Sequence, residues 1–92
     1  MDRFRIKLSP VASRDSDAFE MGVVIRVLSE LKILQENPFP RGKLVRKIKG
    51  KKTAFYRLRI DKFRVFFEIL PMKVIILRIL DKKEADRFIK RL

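Results

Sequence analysis

Two alternating runs of residues, separated by a single dipeptide, constrain the fold of this chain most strongly. Residues 55–60 read Phe-Tyr-Arg-Leu-Arg-Ile and residues 63–69 read Phe-Arg-Val-Phe-Phe-Glu-Ile. An alternation of apolar and charged residues sends successive side chains to opposite faces of a β-strand. Because only Asp61 and Lys62 lie between the runs, the sequence predicts a tight turn and an antiparallel hairpin with a cationic face.

The residues before this hairpin predict a strand and two helices. Residues 3–8 alternate between cationic and apolar side chains, which is typical of a strand with one buried face. Ser9-Pro10 supplies a capping hydroxyl and a proline suited to the first helical turn, and we expect this helix to end near Ser16. A second helix, running to about Gln35, is predicted by the helical spacing of Val24, Val27, Leu28, Leu31 and Leu34.

The residues after these helices predict a meander of strands and a last helix. The prolines and the glycine in residues 37–42 end the second helix and form a loop. Residues 44–49, the two hairpin runs and the apolar run 73–80 then predict three or four antiparallel strands. A C-terminal helix is predicted by the apolar stripe of Ala85, Phe88, Ile89 and Leu92.

This order of elements predicts an α+β fold in a single domain that spans residues 1–92. The order is strand, helix, helix, an antiparallel strand meander and a C-terminal helix. We expect the helices to cover one face of the sheet and the cationic side chains to occupy the other. The hydrophobic content of 47%, with eight phenylalanines, favours a packed core.

Positive charge is concentrated in the second part of the chain. Residues 1–37 hold six basic and six acidic side chains, whereas residues 38–92 hold eighteen basic and five acidic ones. The second part therefore carries the whole net charge of +13. Such a density of cations indicates a polyanionic partner, and nucleic acid is the first to consider.

The absence of cysteine and histidine excludes several kinds of chemistry. Disulfides, structural zinc, thiol nucleophiles and the usual general base near neutral pH are all excluded. We therefore expect no metal and no cofactor. The first residues lack the apolar segment of a secretory signal, and no run approaches the ~20 apolar residues that span a bilayer. We expect a cytoplasmic protein without a membrane partner.

The cationic side chains divide into a candidate phosphate site and a candidate binding surface. Arg57 and Arg59 leave one strand on the same face, and the hairpin turn brings Arg64 beside them. A guanidinium presents a planar fork of donors that matches phosphate, so a face that carries these arginines is suited to bind a polyanion. Contacts with an RNA backbone are expected from Lys43, Arg46, Lys47, Lys49, Lys51, Lys52 and Lys62.

Three further side chains have a structural and a functional interpretation. Phe55 and Phe66 share the face of the arginines, where phenylalanines either pack in a core or stack on bases. Tyr56 alternates with the arginines and is expected to point into the core. Arg78 is the one charge inside the last predicted strand, and a structural ion pair with an acid such as Glu68 is its expected role.

Two segments resemble the RelE/ParE superfamily of toxins from toxin–antitoxin modules. The first reads Asn37-Pro-Phe-Pro-Arg-Gly-Lys-Leu. The second is the hairpin motif, with aromatic-basic-Leu-basic on one strand and aromatic-Arg-Val on the next. The resemblance extends from Ser9-Pro10 to Arg78. It implies a RelE-like fold and an acidic, RelB-like antitoxin as a partner.

In the RelE branch, the resemblance implies a ribosome-dependent endonuclease that inhibits translation by cleaving messenger RNA. Such toxins direct a ribose 2′-OH at the adjacent phosphate, and family members carry basic residues where Arg57, Arg59 and Arg64 stand here. They also carry a basic residue and a tyrosine after the last strand. The basic residue is present as Lys82 or Lys83, but the tyrosine is missing, and arginine is a weak proton acceptor. The catalytic residues implied are thus Arg57, Arg59, Arg64, Lys82 and Lys83.

The missing tyrosine leaves two alternatives open. A ParE-like toxin has the same fold but inhibits DNA gyrase, and it needs no ribonuclease residues. A degenerate member of the superfamily binds RNA through its charge and does not cleave it. Cleavage of messenger RNA on the ribosome is our leading hypothesis.

Overall fold

A computed structural model describes residues 3–50 and 52–92 of the chain. In order, its elements are β1 (Arg5–Leu8), α1 (Pro10–Asp17), α2 (Met21–Glu30), α3 (Lys32–Glu36), β2 (Val45–Ile48), β3 (Phe55–Ile60), β4 (Phe63–Leu70), β5 (Lys73–Asp81) and α4 (Lys82–Lys90). The strands form a five-stranded sheet in the order β1-β5-β4-β3-β2. β1 pairs parallel with β5, and the other neighbours are antiparallel. The predicted α+β class is confirmed, and the elements follow the predicted order except that the predicted second helix is divided at Leu31 into α2 and α3.

Ser9 joins the first strand to the first helix. Its Oγ accepts a hydrogen bond from the backbone nitrogen of Ala12 at 3.0 Å and donates one to the carbonyl of Leu77 at 3.1 Å. Pro10 occupies the first helical position, where its missing N–H costs nothing. Ala12 is buried in the core. These contacts fix α1 against the sheet.

The larger core lies between one face of the sheet and the segment that contains α1, α2 and α3. Leu58, Val65 and Phe67 point into it from the hairpin strands. Tyr56 also packs against this core and stacks on Phe67, with 5.7 Å between the ring centroids. The position of Tyr56 in the alternation therefore predicts its side correctly. The helical segment contributes Ala12, Val27, Leu31 and Leu34.

The expectation that all helices lie on one face of the sheet is wrong for α4. Ala85 and Phe88 of α4 pack on the opposite face, against Phe55 and Phe66. The ring centroid of Phe88 lies 4.8 Å from that of Phe66 and 6.0 Å from that of Phe55. The alternation places Phe55 and Phe66 on the face of the arginines, and two apolar rings there favour a helix that removes them from water. They are core residues and are not available to stack on bases.

Arg78 pairs with Asp15 and not with Glu68. Its Nε and Nη2 donate to the two carboxylate oxygens of Asp15 at 2.8 and 3.1 Å. The backbone nitrogen of Ile79 donates to the same carboxylate at 2.9 Å. Asp15 lies on α1, which packs on β5, whereas Glu68 lies opposite Ile75 on β4. The hydrogen bond with Asp15 raises the pKa of Arg78, and the pair ties α1 to β5.

Candidate functional site

Four arginines on three adjacent strands share the sheet face on which α4 packs. Arg57 and Arg59 alternate with buried residues along β3. Arg64 on β4 lies directly opposite Arg59, and Arg46 on β2 lies directly opposite Arg57. Side chains directly opposite on antiparallel strands have Cβ atoms about 4.5–5.5 Å apart. We call these four residues, Arg46, Arg57, Arg59 and Arg64, the arginine cluster.

Arg64 is held by the turn that it follows. Its Nη1 donates to the carbonyls of Asp61 and Phe63, both at 2.8 Å. The turn is tight because Asp61 adopts a positive φ of 49°, a conformation that aspartate tolerates better than most residues. Arg64 is only 8% exposed. Burial, followed by the charge of Arg59, lowers the pKa of Arg64.

Arg57 is held from the other side of the cluster. Its Nη2 donates to the carbonyl of Lys43 at 3.0 Å, while its buried Nε has no hydrogen-bond partner among the described residues. Burial lowers the pKa of Arg57 most strongly, and the like charges of Arg64, Arg46 and Arg59 lower it further. The three like charges repel the partly buried guanidinium of Arg57, and a bound anion reduces this repulsion. The cluster is therefore suited to bind one.

Arg46 was placed in the binding surface by the sequence, and the structure brings it into the cluster. Its neighbour Lys47 lies opposite Tyr56, so Lys47 leaves β2 on the other face of the sheet. The pairing register of β2 decides which of the two side chains, Arg46 or Lys47, lies on the cluster face. The loop between β2 and β3 hides that register in the sequence, because a shift by one residue exchanges the two side chains.

The remaining cations of the predicted binding surface surround β2 and the hairpin turn. Lys43, Lys49 and Lys52 are exposed in the segments that flank β2. Lys62 is exposed in the turn between β3 and β4, and its carbonyl accepts a hydrogen bond from the backbone nitrogen of Lys82 at 2.9 Å. The predicted contact of Lys51 falls outside the described residues.

Lys82 and Lys83 form the first turn of α4, and helical geometry separates them. Asp81 caps this helix, because its carboxylate accepts from the backbone nitrogen of Glu84 at 2.8 Å. Ala85 faces the sheet, and successive residues of an α-helix are rotated by about 100°. Lys82 therefore lies on a flank of the helix next to the sheet, whereas Lys83 points further towards solvent. The structure favours Lys82 as the lysine beside the cluster.

The described residues offer neither a metal site nor a membrane span. Within residues 3–50 and 52–92, no group of three or more acidic side chains is placed to hold a metal ion. Across the same residues, no helix has both the length and the apolar character needed to cross a membrane.

The sequence from residue 6 to residue 86 matches the family described as the ParE toxin of type II toxin–antitoxin systems, parDE. The chain belongs to this toxin family. The match covers the sheet except for the first residue of β1, all of α1 to α3 and the first half of α4, and it confirms the RelE/ParE resemblance. No curated protein matches the sequence.

Solved structures of other toxins share the fold of this toxin-family chain. The archaeal RelE–RelB complex from Pyrococcus horikoshii OT3 aligns with a TM-score of 0.71 and 24% identity, over 87% of this chain and 96% of that one. The toxin–antitoxin complex RelBE2 from Mycobacterium tuberculosis aligns with a TM-score of 0.72 and 15% identity, over 87% and 99%. The YoeB dimer from Staphylococcus aureus aligns with a TM-score of 0.67 and 24% identity, over 85% and 95%.

Proposed function

We propose that this chain is a RelE-like toxin that cleaves messenger RNA on the ribosome and so inhibits translation. The arginine cluster carries this proposal. It presents four guanidiniums on one rigid sheet face, two of them anchored to backbone carbonyls. The structural similarity to RelE and YoeB toxins supports the same assignment at the level of the fold.

The chemistry proposed for the cluster is electrostatic. Cleavage by a ribose 2′-OH moves charge onto the oxygens of the attacked phosphate, and fixed donors that face those oxygens lower the barrier. Arg57 and Arg64 are held before RNA arrives, so little reorganisation is needed when the charge develops. Arg59 and Lys82 complete the set that contacts the phosphate. Arginine stays protonated, and so the cluster binds and stabilises without accepting the proton.

The surrounding cations are proposed to hold the RNA backbone. Lys43, Lys49, Lys52 and Lys62 are exposed around the cluster, and contacts of this kind set affinity and salt dependence rather than sequence preference. The ribosome supplies the position of the message relative to the cluster. We propose that the protein acts in the cytoplasm, where it meets translating ribosomes.

An acidic antitoxin is the second proposed partner. Several solved structures with this fold are complexes of a toxin with its antitoxin, among them the RelE–RelB complex of Pyrococcus horikoshii. The net charge of +13 favours a partner of opposite charge. Co-expression with an adjacent acidic reading frame is expected to yield a stable complex and to relieve growth arrest. A toxic chain that no neighbouring frame neutralises would contradict this partner.

The proposed activity is tested in a translating extract. Purified protein is added, and the ends of the message are mapped against the position of stalled ribosomes. We expect cuts at the codon in the ribosomal A site, strongly reduced by Arg59→Gln. Arg14→Gln, which removes an exposed cation from α1, serves as the matched control and is expected to cut like the wild type. Intact message at an excess of ribosomes would contradict the proposal.

Inhibition of DNA gyrase is the second candidate function, because the family match is to the ParE toxin. The missing tyrosine after the last strand also favours it. A supercoiling assay separates the two candidates. A gyrase inhibitor stalls supercoiling and leaves the message intact, whereas the proposed endonuclease cuts the message and leaves supercoiling unchanged. RNA binding with neither effect identifies a non-catalytic member.

A further inference from the structure

The proposed cleavage needs a group that accepts the proton of the 2′-OH, and the side chains discussed above do not supply one. The chain has no histidine. Its single tyrosine, Tyr56, packs on the opposite face of the sheet from the cluster. A carboxylate is already deprotonated near neutral pH, whereas a lysine at its reference pKa of about 10.4 is not, so a carboxylate is the more direct proton acceptor. The second part of the chain contains five: Asp61, Glu68, Asp81, Glu84 and Asp86.

Four of these carboxylates are engaged or placed elsewhere. Asp61 pairs with Arg26 at 3.2 Å, and Glu84 pairs with Arg87 at 2.8 Å. Asp81 caps α4, as described above. Glu68 shares the cluster face but lies opposite Ile75, four residues and so about 13 Å along β4 from Arg64, toward the far end of the hairpin from Arg59 and Arg64. Asp86 remains, an exposed residue on α4.

The packing of α4 decides which way Asp86 faces. Ala85 and Phe88 lie underneath the helix, against the sheet. Glu84, Arg87 and Arg91 line a small cavity of about 80 Å³ together with Arg78 of β5, which places this flank on the side away from β3. Asp86 and Lys82 are one turn apart on the other flank. That flank faces the hairpin strands, on which the arginine cluster lies.

Electrostatics agree with this orientation. Asp86 attracts the charge of Arg64 and so opposes the lowering of the pKa of Arg64 by burial. In the described part of the chain, these two side chains nevertheless form no direct ion pair. A carboxylate that is not consumed by an ion pair with Arg64 remains able to accept a proton from the ribose of an RNA whose phosphate is bound by the cluster.

We propose that Asp86 is the general base of the endonuclease, an inference that rests on the function proposed above. The carboxylate of Asp86 takes the proton of the 2′-OH, and the 2′ oxygen attacks the adjacent phosphorus. A bond forms between the 2′ oxygen and phosphorus, and the bond between phosphorus and the 5′ oxygen breaks. The 5′ oxygen leaves with a proton from water, and the upstream fragment ends in a 2′,3′-cyclic phosphate.

The test uses the full chain on ribosomes that carry a defined codon in the A site. General base catalysis by a positioned side chain contributes about 10²–10⁴-fold, so Asp86→Asn is expected to lower the single-turnover rate by about 100-fold or more. Binding is measured separately on a message whose reacting ribose is 2′-deoxy, which cannot be cleaved. This binding is expected to be unchanged or tighter in Asp86→Asn, because a negative charge near the RNA is removed.

Two variants control this measurement. Glu84→Gln removes a carboxylate from the opposite flank of the same helix, and its cleavage rate is expected to match that of the wild type. Asp86→Glu keeps the carboxylate and is expected to recover part of the rate. Thermal denaturation verifies that all variants fold.

The cleavage and binding results of these variants decide whether Asp86 is the general base. Cleavage by Asp86→Asn at the wild-type rate, with or without tighter binding, overturns the inference and leaves the endonuclease intact, because Asp86 is then only a counter-charge of the cluster. A loss that appears in binding and disappears at saturation also overturns it. A wild-type chain that does not cleave overturns the endonuclease and this inference together.

Discussion

At the scale of single residues, the arginine cluster combines two anchored guanidiniums with two exposed ones. Arg57 and Arg64 donate to backbone carbonyls, whereas Arg46 and Arg59 are exposed. An anchored side chain loses little conformational freedom when a ligand binds. We infer that the anchored pair fixes where a phosphate lies and that the exposed pair adapts to the RNA around it.

Replacing each arginine of one cross-strand pair with lysine tests this division. Lysine cannot present the planar fork that lets Arg64 reach two carbonyls and still face a ligand. We expect Arg64→Lys to lower the free energy of unfolding by about 1–3 kcal/mol, because two part-buried hydrogen bonds from a charged donor are lost or weakened. The exposed Arg59→Lys is expected to change it by less than about 0.5 kcal/mol. Urea denaturation measures both, and equal losses would contradict the division.

At the scale of elements, α4 connects the arginine cluster to the small core on its own face. The helix spans Lys82–Lys90 and contacts the sheet through Ala85 and Phe88. Phe88 also lies under the guanidinium of Arg78, 5.7 Å from the carbon centre to the ring centroid. Because α4 packs on the sheet in this way, Lys82 and Asp86 lie on the flank of the helix that faces the hairpin. Anything that lifts α4 is therefore expected to remove both from the cluster.

Truncating Phe88 is expected to loosen α4 while the rest of the fold remains. The ring is half-buried against Phe55 and Phe66, so Phe88→Ala is expected to cost about 2 kcal/mol, less than the roughly 3–5 kcal/mol of a fully buried ring. Hydrogen exchange should then accelerate at the amides of α4 and not in β3 or β4. Ile89→Ala, at the exposed edge of the helix, is the control and is expected to leave exchange unchanged. Uniform acceleration across the sheet would contradict local docking.

The sequence predicts most elements but not the side of the sheet on which α4 lies. Alternation identifies β1 and the hairpin, and Ser9-Pro10 identifies the start of α1, because these signals are local. The apolar stripe of α4 shows which side of the helix is buried and carries no information on the partner surface. In the sequence, Phe55 and Phe66 on the face of the arginines are the feature that indicates where α4 packs. Two apolar rings among cations require a cover, which is a tertiary requirement.

At the scale of the whole molecule, the net positive charge comes from the second part of the chain. In the folded protein, cations from this part lie on both faces of the sheet. All thirteen net charges come from residues 38–92. Arg46 and Lys47 are neighbours in β2, yet pairing places Arg46 on the cluster face and Lys47 on the other. A surface that binds RNA on the cluster face only is therefore expected to use one of these two cations.

The salt dependence of RNA binding tests this difference between neighbouring residues. On a single strand, each neutralised phosphate contributes about −0.7 to the slope of log K against log salt. Arg46→Gln is expected to reduce the magnitude of the slope by about this amount, whereas Lys47→Gln leaves it unchanged. Titrations of a short single-stranded RNA at several salt concentrations measure the slope. Equal effects of the two variants would contradict binding on the cluster face.

The site itself is only partly readable from the sequence. Alternation and the short turn bring Arg57, Arg59 and Arg64 together, because those relationships span few residues. Arg46 joins them because of the register in which β2 pairs with β3, and the loop between these strands leaves that register undetermined by the sequence. Asp86 faces the cluster because of how α4 docks, and Arg78 binds Asp15 across 63 positions of sequence. Contacts that depend on the packing of distant elements escape local patterns.

Cleavage of a message in a defined ribosomal complex tests the central claim most directly. Ribosomes with one codon in the A site are mixed with an excess of the wild-type chain, Arg59→Gln or Arg14→Gln, and the cleaved fraction is followed over time. We expect a single cut in the A-site codon, a rate about 10²-fold lower for Arg59→Gln, and no change for Arg14→Gln. Message that stays intact with the wild-type chain, or equal cleavage by Arg59→Gln, would contradict the role of the arginine cluster.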